Sequence, residues 1–217
     1  LPEVIRRFMT QYPDVSLVVK QGTPLEVAQM ASEGEVDFVV ATDSVNKHTN
    51  LISLPCYRWN PCVVVPKGHP LTALEHCSLE AIADYPVVTY TTGFSERSAL
   101  DEAFKVRDLI PELVFTAVDS DVIKTYVRLA LGIGLIAGLA YDEDLDGDLV
   151  KIDAPHLFGS SVTSLGFRKG VFLRGYMHDF IRELAPHLSR ELVLEAVSRT
   201  KLADRAALFE GIELPFY

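Results

Sequence analysis

The stretch Val87–Phe104, VVTYTTGFSERSALDEAF, decides the fold class. Its first four residues read as an apolar strand. From about Ser95 the pattern turns helical. Between them sit Thr91, Thr92, Gly93 and Ser95. A strand running through a short hydroxyl-rich loop into a helix is the repeating step of an α/β sheet. Backbone N–H groups at a helix start point outward unpaired, and the helix dipole makes that end mildly positive. With Gly93 for close backbone approach, and hydroxyls as neutral donors, such a loop suits a small anion. It equally suits plain capping, with Ser95 serving only its own helix.

Outward from this stretch the same order recurs. Leu1, Val4, Ile5, Phe8, Met9 and Tyr12 fall on one helical face, and Pro13 stops that helix. Val15–Lys20 reads as a buried strand. Thr23 and Glu26 form a capping box around Pro24, and Gly34 closes the helix. Val36–Ala41 is a second apolar strand, giving α-β-α-β, the signature of a parallel sheet covered by helices. Further on, CVVVPKGHPL is a strand broken by Pro66 and Gly68, and Ser78–Tyr85 is a short helix. Leu113–Val118 is a strand. Asp119 or Ser120 caps the helix DVIKTYVRLAL, ended by Gly132. IGLIAG, LVKI and SLGFRKG are strands, LRGYMHDFIREL and SRELVLEAV are helices, and the tail from Thr200 is weakly patterned. Two α/β lobes fit this count of elements. Such lobes commonly enclose a ligand cleft.

Composition narrows the function. The chain has 217 residues, 48% of them hydrophobic, and a net charge of −10. Its lysines and arginines are scattered. Without a basic stripe it is a poor nucleic-acid binder by itself. No apolar run approaches the roughly 20 residues that span a bilayer, and no signal peptide is evident. The chain opens at Leu1, already in helix, and reads as a fragment of something longer. Cys56, Cys62 and Cys77 are an odd number at uninformative spacing, as expected of reduced thiols in a cytosolic protein.

Catalytic and metal motifs are weak. GFSER fails the G-x-S-x-G elbow because Arg97 stands at the second glycine position. DEDLDGDLVKID, Asp142–Asp153, matches the first positions of a calcium loop but ends in Asp and lacks a flanking helix pair, so it reads as a solvated acidic loop. The glycines of LALGIGLIAG are not a dinucleotide fingerprint and read as a helix end and a tight turn. The six histidines are dispersed. No catalytic residue, metal site or cofactor is expected. Thr42 and Asp43 end a strand at the edge where open sheets take ligands. Trp59, in CYRWN, is packing or a cleft wall.

Four stretches go beyond pattern: LPCYRWNPCVVVPKGHPL, PVVTYTTGFSERSALD, VFTAVDSDVIKTYVRLALGIGLIA and LGFRKGVFLRGYMHDFIRELAPHL. Together they resemble the effector-binding domain of LysR-type transcriptional regulators, within the branch that activates cysteine-biosynthesis genes. The resemblance covers nearly the whole chain. It implies an α/β fold of two Rossmann-like lobes with a ligand cleft between them, like type 2 periplasmic binding proteins. Residues 1–60 with 161–217 would form one lobe, its first strand missing upstream of Leu1, and residues 61–160 the other. It further implies N-acetylserine or O-acetylserine as inducer, with sulfate or thiosulfate able to occupy the same cleft. It implies a cytoplasmic homotetramer acting on promoter DNA and RNA polymerase through an upstream DNA-binding domain, with no membrane partner. Thr42 corresponds to a threonine of the family's anion site, Ser95 stands where the family has a threonine, and Trp59 corresponds to a tryptophan at the cleft. Thr92 and Gly93 share the Ser95 loop, Thr92 in place of an aromatic. The expected role is effector sensing without bond chemistry. The competing reading is a periplasmic solute-binding protein for a small anion.

Overall fold

A computed structural model describes residues 1–42, 44–199 and 201–217. In chain order its main elements are α1 (Pro2–Gln11), α2 (Pro24–Glu33), β1 (Val39–Thr42), α3 (Ser44–Lys47), β2 (Leu51–Trp59), β3 (Pro61–Pro66), α4 (Leu79–Ala83), β4 (Val87–Tyr90) and α5 (Ser95–Val106). Then come β5 (Leu113–Ala117), α6 (Ser120–Arg128), β6 (Ile133–Ala137), β7 (Leu149–Asp153), α7 (Pro155–Phe158), β8 (Ser161–Arg168), α8 (Gly175–Leu184), α9 (Arg190–Ser198) and α10 (Leu202–Phe209). The chain divides into two units. The first is Leu1–Tyr57 with Val162–Phe216, and the second is Arg58–Ser161 with Tyr217.

In the first unit, strands pair in the order β1-β8-β2. β1 and β8 are antiparallel, with Val39 opposite Gly166 and Thr42 opposite Thr163. Gly166 is required by crowding: a Cβ there would lie 2.4 Å from a Val45 methyl and 2.9 Å from a Val39 methyl. The core gathers Val4 and Phe8 of α1, Ile52 and Leu54 of β2, Leu165 and Phe167 of β8, and Met177, Phe180 and Ile181 of α8. The α2 capping box forms as its sequence predicts. The Thr23 hydroxyl accepts from Glu26 N–H, Glu26 accepts from Thr23 N–H, and Gly34 adopts the left-handed φ of +80°.

In the second unit the order is β5-β4-β6-β3-β7. β4 is parallel to β5 and β6, whereas β3 is antiparallel to β6 and β7. One core packs Leu100 and Phe104 of α5 with Val63, Val65, Val87 and Ile133. On the other face Ile123 and Val127 of α6 pack on Val64, Val88 and Ile136.

Several expectations change. Neither sheet is purely parallel. β8 returns from the far end of the chain to pair with β1, and β3 enters its sheet against the direction of β6. Val15–Lys20 is not a strand. It has no ladder partner among the described residues, and Val18 and Val19 are exposed. It borders an apolar cavity of about 400 Å³ with α1, Val39 and Val40 of β1, and α8. Helix α6 stops at Arg128, ahead of Gly132, because Ala130 takes the left-handed conformation (φ +57°). Gly134 is neither a helix end nor a turn. It lies within β6, where a Cβ would meet Val64 at 2.5 Å and Val127 at 2.8 Å. A side chain there would push α6 off the sheet.

Candidate functional site

Strands β4, β5 and β6 run parallel, so Tyr90, Ala117 and Ala137 end along one edge of the second unit's sheet. The loop leaving β4 is tied there: Thr91 N–H donates to the Ala117 carbonyl at 2.9 Å. α5 and α6 both begin beyond this edge. Open α/β sheets receive ligands at such carboxyl ends, facing helix starts.

Each residue of the loop has its own part. Gly93 has φ +100°, a left-handed conformation that favours glycine. An added Cβ would meet nothing within 4 Å, so the glycine serves the turn and the space over it is open. Thr92 is exposed. Phe94 stacks on Tyr90 with ring centroids 4.9 Å apart. Burial, and then the nearby Glu96 carboxylate, push the Tyr90 phenol well above its ordinary pKa. Ser95 does not cap α5. The cap position is Phe94, which offers no side-chain hydrogen bond, and Ser95 is the first helical residue. Its hydroxyl donates to the Glu96 carboxylate at 3.1 Å, and Glu96 is only 5% exposed. An anion that takes the Ser95 proton therefore competes with Glu96 for it. The Thr91 hydroxyl oxygen is buried with no partner. An unmet buried hydroxyl costs about 1–3 kcal/mol, which makes Thr91 the unsatisfied polar group of this loop.

Trp59, at the end of β2, is 2% exposed. Next to it, the Asn60 carbonyl accepts from Gly138 N–H at 2.8 Å, and the Asn60 side-chain oxygen is buried without a partner. Thr42 belongs to the first unit. It ends β1 opposite Thr163, and both are buried. Asp43 lies outside the described residues. The structure thus brings Thr92, Gly93 and Ser95 into one loop and adds Thr91, Asn60 and Glu96. Thr91 was legible as one more hydroxyl. The burial of Glu96, a charged residue on a helix's first turn, has no sequence signal.

The acidic loop is not simply solvated. Asp146 is buried and held at 2.7 Å by both Lys124 Nζ and Arg128, and Arg128 also reaches Asp148 at 2.8 Å. Its carboxylate is spent on these cations, and no metal-ligand cluster occurs among the described residues. The three cysteines are free and buried. Burial pushes the Cys56 and Cys62 thiols up to about 12, so they are inert nucleophiles. Among the described residues no helix is long and apolar enough to cross a membrane.

The sequence pattern of the LysR substrate binding domain matches residues 1–189. The chain belongs to the LysR substrate-binding domain family. It is 46% identical to the HTH-type transcriptional regulator CysB of Haemophilus influenzae, over 99% of this chain and 66% of that protein. It is 47% identical to the regulator SsuR of Burkholderia cenocepacia, over 87% of this chain and 61% of SsuR. It is 40% identical to the regulator cbl of Escherichia coli, over 88% of this chain and 60% of that protein. This LysR-family chain thus spans about 60–66% of the length of these curated relatives. The solved cofactor-binding domain of the Cbl transcriptional regulator superposes with a TM-score of 0.85 at 38% identity, covering 92% of this chain and 88% of that one. The fold is the two-lobed, periplasmic-binding-protein-like α/β fold of LysR effector domains.

Proposed function

We propose that this LysR-family domain is the effector sensor of a cytoplasmic transcriptional activator of sulfate-assimilation and cysteine-biosynthesis genes. The observation that carries this reading is 46% identity to CysB over 99% of the chain. The effector is a small anion: N-acetylserine or O-acetylserine, with sulfate and thiosulfate as competitors. The contacts proposed are Thr42, Trp59, Thr92, Gly93 and Ser95, with Thr91 added because its hydroxyl lacks a partner. The domain performs no bond chemistry. An effector shifts its conformational equilibrium only by its differential affinity for two states. A homotetramer relays that shift to DNA-binding heads, promoter DNA and RNA polymerase.

Calorimetric titration with each of the four anions tests this. Binding of at least one below millimolar Kd is the expected result. Ser95→Ala should weaken it by roughly 0.5–1.5 kcal/mol, the usual scale of one hydrogen bond. Thr91→Val should weaken it on a similar scale while leaving the ligand-free protein as stable or slightly more so. Unchanged affinity in both variants would remove this loop from the site. Absence of binding by all four anions would sink the sensor reading for this chain.

A further inference from the structure

A second cavity, of about 230 Å³, lies on residues of the first unit alone. It is lined by Asn46, His48, Thr49, Lys169, Leu202 and Arg205. Among the described residues its lining carries two cationic side chains and no acidic one. Arg205, on α10, is 3% exposed. One guanidinium nitrogen donates to the Leu51 carbonyl at 3.0 Å, and its Nε is buried with no partner. Lys169 donates to the Thr49 carbonyl. Neither cation makes an ion pair among the described residues, although the protein carries a large acidic excess. Burial draws the Arg205 guanidinium below its ordinary pKa, yet arginine stays protonated in proteins. A buried, uncompensated charge is costly, and buried charges are ordinarily paired. An exposed lysine at the mouth and a buried arginine behind it form a fork for oxygens of opposite charge.

We infer that the Arg205–Lys169 cavity of the first unit binds a small oxyanion, carboxylate or sulfate-like, at a site separate from the β4–α5 loop. The geometry matches such a ligand in three ways. The space is small, the guanidinium has an unmet donor, and the Lys169 ammonium is free to swing its remaining N–H groups inward. Asn46 and Thr49 supply neutral polar neighbours.

The test uses sodium sulfate and sodium acetate against the whole chain, at constant ionic strength with chloride as the balancing anion. Amide shifts of residues 46–50, 169 and 202–205 and thermal melts are recorded together. In wild type these amides should shift saturably, and the melting temperature should rise with sulfate beyond the chloride control. Arg205→Met keeps the apolar stem and removes the charge. It should abolish the saturable shifts, and its melting temperature should no longer rise with sulfate beyond the chloride control. Lys169→Gln, a change at an exposed side chain, should weaken sulfate by roughly three- to ten-fold. Ser95→Ala should leave these shifts unchanged, which separates this site from the proposed effector site. No saturable shift in wild type, or unaltered sulfate affinity in Lys169→Gln, would overturn the inference. If Arg205→Met fails to fold, the arginine is a structural strut and Lys169→Gln decides alone.

Discussion

Asp146→Asn should lower the unfolding free energy by about 3–5 kcal/mol, because it removes the buried carboxylate that Lys124 and Arg128 share and leaves the buried Lys124 only the exposed Asp121 as an ion partner. Lys124 and Asp146 have side chains only 6% and 3% exposed, and meet at 2.7 Å. Lys124 also donates to the Ala140 carbonyl at 2.9 Å, and Asp146 accepts from Asp142 N–H at 3.0 Å. The pair thus ties α6 to the loop between β6 and β7. Desolvation alone would raise the Asp146 pKa, but hydrogen bonds from Lys124, the Asp142 backbone and Arg128 outweigh it and hold the carboxyl below its ordinary value. The sign follows. A depressed carboxyl stabilises the fold fully above the unfolded value, near pH 4, and loses that contribution as pH falls through the folded value. The gap between wild type and Asp146→Asn should therefore be widest near neutral pH and narrow in acid. Urea unfolding at several pH values measures it. The double change Lys124→Met with Asp146→Leu should recover most of the loss, since an apolar pair can replace a buried ionic one at little cost. A loss under about 1 kcal/mol would place the pair with ordinary surface ion pairs.

Phe167→Ala should cost a similar amount, about 3–5 kcal/mol, for a different reason. Phe167 is fully buried in β8 within the first unit's core, and Phe38 meets its ring edge-on with centroids 6.0 Å apart. Its neighbours come from both faces of the chain's long-range order: Leu54 from β2, and Met177 and Ile181 from α8. Truncation leaves a hole they cannot all fill. Phe167→Leu should lose less, because more of the volume is kept. Amide exchange should accelerate first in the β1–β8 ladder. Asp146→Asn should instead accelerate exchange in the β3–β7 ladder. Equal acceleration throughout in both variants would mean that the units unfold as one cooperative body. A cost near zero for Phe167→Ala would mean that this core closes over the gap.

Local chemistry was readable where it was self-contained. Thr23, Glu26 and Gly34 bound a helix by contacts within a few residues, and α2 has those caps. Asp119 caps α6 by accepting from Asp121 N–H at 2.7 Å. Val87–Tyr90, a short apolar run before the hydroxyl loop, is β4. What failed depended on distant parts of the chain. Val15–Lys20 has the composition of a strand but no ladder partner among the described residues. β2, Leu51–Trp59, carries Pro55 inside its pattern, yet it lies beside β8 in the sheet. α10 was lost in a weakly patterned tail. The hydroxyl loop was legible as a ligand loop from residue types alone. That Ser95 faces a buried carboxylate, and that Thr91 has the unmet hydroxyl, follow from packing of α5 on the sheet, which no local pattern encodes.

β1 ends its sheet on one side, and its Val39 and Val40 look onto the same apolar hollow as the unladdered Val15–Lys20. Bare peptide groups beside oily side chains form a template for another extended chain. Lys20 is the sole charge in that stretch to discourage such templating. A lysine introduced at Val18 should act as a gatekeeper, lowering any concentration-dependent edge-to-edge association of this polypeptide, as light scattering would measure.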